Sequence, residues 1–104
     1  MAWFLIILAG VFETAWAVGL KYSDGFSRLV PSLLTLAAMG ASFGCLAIAL
    51  KSLPVGTAYA VWTGIGAAGT AALGMYLFDE PATVLRLGSI ALVVAGIVGL
   101  RLAS

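Results

Sequence analysis

The sequence predicts an all-α membrane protein with four transmembrane helices, and three observations predict it. Only 9% of the 104 residues are charged and 63% are hydrophobic, where a soluble domain carries about 25% charged residues. The mean hydropathy of +1.19 places the chain in the membrane class. The few charges cut the chain into four apolar stretches, each close to the roughly 20 residues that cross a hydrocarbon core about 30 Å thick. Within that core every backbone group needs an internal partner, which makes helices the expected spanning element.

The first span covers 2–20 and is broken only by Glu13. KYSDGFSR, 21–28, is polar, carries Gly25 and reads as a loop. The second span covers 29–50, with Pro31 near its start, where a helix tolerates it. KSLP, 51–54, is a short turn, and the third span covers 55–78. DEPAT, 79–83, is a turn with an acidic pair and Pro81. The fourth span covers 84–102, with Arg86 and Arg101 at its ends, where long side chains snorkel to the interface. Residues 1–104 are therefore expected to form a single four-helix transmembrane domain. Short connections predict antiparallel neighbours in an up-down-up-down bundle. The opening run lacks a positive flank beyond the amino terminus and contains an acid, so a cleaved signal peptide is not expected.

Composition also excludes. A net charge of +1 gives no basic field for nucleic acid. The sole cysteine, Cys45, has no second cysteine with which to form an intramolecular disulfide. With no histidine and no Cys/His cluster, neither a metal site nor a cofactor is suggested. One acid without a second base or a nucleophile offers no catalytic constellation, so an enzyme is not expected.

Orientation is nearly balanced. An even number of spans puts both termini on the side of Lys51, and that side carries Lys51 and Arg101 against Lys21, Arg28 and Arg86 opposite. Cytoplasmic loops are enriched in Lys and Arg. Two against three leaves open either a small but sufficient bias or dual insertion, with the two orientations pairing as an antiparallel dimer. Small residues at Gly56, Gly64, Gly66, Gly69 and Gly74 in the third span, and at Gly88, Ser89, Gly96 and Gly99 in the fourth, let helix backbones approach. The Gly64–Ile65–Gly66 triplet also suits a bend.

Glu13 is the focus of the chain. A charged carboxylate facing lipid costs several kcal/mol, so it is expected to face protein or a wet cavity. Its helix face carries Ala9, Gly10, Trp16 and Ala17, three small residues and one large ring. No base lies at its depth. Apolar surroundings penalise the charged form of a carboxyl group, and such a group holds a proton or a cation but not both, which is the basis of proton/cation exchange. The alternative is a protonated tie between helices. Ser42, mid-span, is a natural donor to a carboxylate, or else bonds back to its own helix. Tyr59 and Trp62, three apart on one face, belong to an interfacial belt or, with Trp16, to a box that attracts a cation through its ring faces.

Over essentially its whole length the chain resembles the small multidrug resistance transporters. The resemblance rests on the lone acid in FETAWAVGLKYSDGFSRL, on PSLLTL and on KSLPVGTAYAVWTGIGA. Trp16 and WTGIGA resemble the guanidinium exporter subtype within it. The resemblance implies an antiparallel, dual-topology homodimer in the bacterial inner membrane that exchanges protons for guanidinium by alternating access. It assigns proton and substrate binding to Glu13, Trp16, Ser42, Tyr59 and Trp62, a lining role to Gly10, a hinge to Gly64 and Gly66, and dimerisation to Ser89 and Gly96. Arg101 departs from the lysine common there, and the two are not interchangeable in a specific contact. Two rivals remain at this point: a multidrug exporter of aromatic or quaternary ammonium cations, and a small structural or channel-like membrane protein without coupled transport.

Overall fold

The computed structural model describes residues 1–103 as four helices: α1 (Ala2–Ser23), α2 (Leu29–Ala49), α3 (Val55–Leu77) and α4 (Val84–Ala103). Each is long and apolar enough to cross a membrane. Some of their hydroxyl groups are absorbed by their own helix. Thr35 Oγ1 donates to the Pro31 carbonyl at 2.7 Å and Ser89 Oγ to that of Leu85 at 2.8 Å, as hydroxyls inside an apolar helix do when no water competes.

α1 continues past the expected boundary at 20, and the octet 21–28 divides into a last helical turn and a tight reversal. Lys21 does not end the helix, because its long stem carries the charge away from the apolar boundary. Ser23 does end it. Its hydroxyl donates to the Leu20 carbonyl at 2.8 Å and accepts from the Phe26 N–H at 3.1 Å. Asp24, Gly25 and Phe26 then take φ of 49°, 70° and 66° and turn the chain back.

Helices consecutive in the chain run antiparallel, and α1 and α3, which also pack together, run parallel. At one end the Lys21 ammonium lies over the Phe78 ring, 5.8 Å from its centroid; at the other, the Arg101 guanidinium lies 5.0 Å from the centre of Trp3. The turns at 24–28 and 78–83 therefore share one end, and the termini and the turn at 50–54 share the other. The expected up-down-up-down order is present, but the helices form an open slab of 41 × 34 × 16 Å rather than a closed bundle. α1 packs on α2 and on α3, while the backbone of α4 approaches α3 alone. The reason is where the small residues lie: α1 offers close contacts to both neighbours, and the outer face of α4 meets nothing. Leu85, Leu92 and Leu102 on that helix are 75–81% exposed.

The core of Ile6, Ala9, Ala49, Ala58, Val61 and Trp62 closes the terminal half of α1–α3. In the other half, α1 and α3 leave a cleft of about 370 Å³. Glu13 stands between the closed half and the open one. Just on the closed side, Gly10 abuts Ile65: a Cβ built on Gly10 would lie 2.6 Å from the Ile65 Cβ. Gly10→Ala is expected to force α1 and α3 apart and to cost about 1–3 kcal/mol, the usual range for overpacking. Reversible unfolding in detergent checks this; an unchanged midpoint would contradict the close contact.

Candidate functional site

The site is built where α1 crosses α3. Glu13, midway along α1, lays its carboxyl group on the bare backbone of Gly66: any Cβ at that position would overlap Glu13 Oε1 and Cδ. One residue further along α1, Thr14 fixes the crossing. Its hydroxyl lies 3.2 Å from the Gly10 carbonyl oxygen of its own helix and 3.4 Å from that of Gly66 on α3. Thr14 is a site residue that the sequence reading passes over, because a threonine in an apolar helix is usually satisfied by its own helix.

Among the described residues, the buried side-chain polar atoms without a hydrogen bond are Glu13 Oε1 and Trp16 Nε1. Natural proteins leave few such atoms, since an unsatisfied buried group costs about 1–3 kcal/mol. Here an acceptor and a donor are left open within one turn of one helix.

Ser42 does not supply the missing bond. Its hydroxyl is fully buried, donates to the Ala9 carbonyl at 2.7 Å and accepts from Trp62 Nε1 at 2.9 Å. A serine has one hydrogen to give, so the expected donation to the Glu13 carboxylate is replaced by a tie that joins α1, α2 and α3. The Trp62 N–H is consumed in the same tie.

The rings form a row rather than a three-membered box. Tyr59 meets Trp62 at 5.5 Å and 63°, Trp62 meets Phe43 at 5.8 Å and 68°, and Phe43 meets Trp16 at 6.3 Å and 59°. Phe43, which joins the two tryptophans, is the second residue missed from the sequence, where a phenylalanine in an apolar span carries no mark beyond hydrophobicity. Trp62 is 8% exposed, while Tyr59 and Phe43 on either side of it are 57% and 49% exposed, so the row is anchored in the core at Trp62.

Glu13, Trp16, Ser42, Trp62, Gly10 and Gly66 thus gather around the crossing, with Tyr59 at the edge. α3 is helical without a break through Gly64 and Gly66. In this conformation the pair serves as contact surface, Gly64 against Ile97 of α4 and Gly66 against Glu13. Ser89 and Gly96 lie outside the site on exposed α4, and a Cβ at Gly96 would meet nothing within 4 Å.

The chemistry of this arrangement is specific. A carboxyl group in apolar surroundings accepts either a proton or a compact cation, and ring faces attract a cation placed over them. Ser42→Ala is expected to leave the Trp62 N–H and the Ala9 carbonyl without their shared partner and to cost about 1 kcal/mol. Unfolding of Ser42→Ala, Trp62→Phe and the double variant measures it, the double costing less than the sum of the singles. Strict additivity would contradict the tie.

Comparison with known proteins places these residues in context. A sequence family described as "Small Multidrug Resistance protein" matches residues 1–93. Over all 104 residues the chain is 62% identical to a protein of Yersinia pseudotuberculosis named "Guanidinium exporter", with the full length of both covered. It is 58% identical to the protein of that name from Escherichia coli K12, covering 99% of the relative, and 56% identical to that of Proteus vulgaris, covering all of it.

Proposed function

The chain belongs to the small multidrug resistance family, and we propose that it exports guanidinium ion in exchange for protons. It is a multi-pass protein of the bacterial inner membrane. One observation carries the reading: a buried carboxyl oxygen of Glu13 without a partner and, three residues along the same helix, a buried indole N–H of Trp16 without one. The names of relatives 56–62% identical over full length point to the same cation.

Guanidinium fits the opening. It is planar, permanently charged and presents paired N–H groups that match a carboxylate in fork geometry. A tryptophan face stacks on its plane. Small substituted guanidinium compounds keep the same forked edge and fit the same contacts. In the proposed cycle the protein works as an antiparallel homodimer, so that two Glu13 carboxyl groups share one chamber. Guanidinium binding from one side displaces one or two protons to that side, the two conformations interchange, and protons from the other side release the cation. The closed half and open half around Glu13 supply an end state that the partner repeats in reverse. The apolar outer face of α4, with Ser89 and Gly96 uncovered, suits the dimer contact, and the two-to-three balance of basic residues suits dual insertion.

In liposomes, guanidinium is expected to drive proton movement through the wild-type protein, and Glu13→Gln is expected to abolish it. Flux driven only by a quaternary ammonium ion would move the chain to the multidrug subtype, and silence with both cations from folded protein would sink the transporter reading. Trp16→Ala is expected to weaken guanidinium binding by about tenfold, within the range of a cation–π contact, and to weaken any binding of a quaternary ion as well, since a ring face attracts both. Titration of both ligands checks this.

A further inference from the structure

The cleft between α1 and α3 has a built mouth. Its floor carries Ala17, Ala67 and Thr70: Ala67 adjoins Gly66 in the chain, and Ala17 lies one helical turn, about 5.4 Å, beyond Glu13. Its mouth carries Lys21, Phe78 and Glu80. The Glu80 side chain is folded back over the end of α3. Asp79 takes φ 54°, the Glu80 N–H reaches the Gly74 carbonyl at 3.3 Å, and the Glu80 carboxylate occupies the space a Cβ on Gly74 would need. On that carboxylate already sits a guanidinium: Arg86 Nη2 donates to Glu80 Oε1 at 3.1 Å.

We propose that Glu80 is an outer docking site for guanidinium on the way to Glu13, at which the substrate exchanges with the side chain of Arg86. The proposal rests on the guanidinium-export reading. The Arg86–Glu80 pair is the same chemical pair that the substrate makes with a carboxylate. Both its side chains are more than a third exposed, and exposed pairs are worth only about 0–1 kcal/mol, so a free guanidinium competes for the site. Among the described residues that line the cleft, Lys21 and Glu80 carry the charges, so without Glu80 the charge left there would be a cation, which repels the substrate. In an antiparallel dimer each membrane face would present one such mouth.

The test measures guanidinium-driven proton flux in liposomes for the wild type, Glu80→Gln and Arg86→Gln. Glu80→Gln is expected to raise the KM for guanidinium by about 3- to 5-fold, the equivalent of one exposed pair, and Arg86→Gln to lower it, with the maximal rate kept in both. The opposite signs separate docking from a merely structural latch, whose loss would harm both variants alike. Unchanged KM values, shifts in the same direction, or a lost maximal rate would overturn the proposal while leaving guanidinium export standing. A wild type without flux would overturn both.

Discussion

The structure depends on the contact between the Glu13 carboxyl group and the bare backbone of Gly66. A carboxylate can be carried across an apolar span only if protein rather than lipid surrounds it. Here α3 comes close enough to do so because Gly66 has no side chain and Gly10 admits Ile65. The same closeness lets the Thr14 hydroxyl span the two helices. α1 is thereby fixed at the centre of the slab, with α2 held to it by Ser42 and the ring row laid along one side. Among the described residues, the buried side-chain polar atoms left without a partner are those of the acid and of the indole one turn along the same helix.

The two halves of the chain differ in a way that suits exchange. On the terminal side of Glu13, Ile6, Ala9, Val61 and Trp62 fill the space between helices. On the other side the small residues Ala17 and Thr70 leave a cleft that leads to a charged mouth. One chain by itself is thus closed on one side of its acid and open on the other, and a partner inserted upside down would complement it. α4 has the freedom to serve that partner, since Leu85, Leu92 and Leu102 are largely exposed and a Cβ at Gly96 would meet nothing within 4 Å.

Much of this was legible from charge placement alone. Lys21, Lys51, Asp79 and Glu80 mark where the apolar runs stop, and the helices end within three residues of those marks. The exception is the end of α1, which runs on past Lys21 and stops at Ser23, whose two hydrogen bonds close it, a local detail that hydropathy does not register. Glu13 announced itself as the sole acid in mid-span. Its surroundings were harder to read, because a side chain's partner depends on which helices cross and at what depth. Ser42 read equally well as a donor to Glu13, and only the placement of Trp62 and the Ala9 carbonyl decides otherwise. Phe43 and Thr14 had no distinguishing mark in sequence; both became site residues through packing.

The central claim is that one carboxyl group holds a proton and a guanidinium ion in turn. The most direct measurement is proton release from detergent-solubilised protein in weakly buffered solution on addition of guanidinium, with Glu13→Gln beside it. The account predicts that protons appear in proportion to bound guanidinium, that the half-saturating concentration rises as the pH is lowered, and that the variant releases none. Guanidinium bound without proton release, or release undiminished in Glu13→Gln, would contradict it.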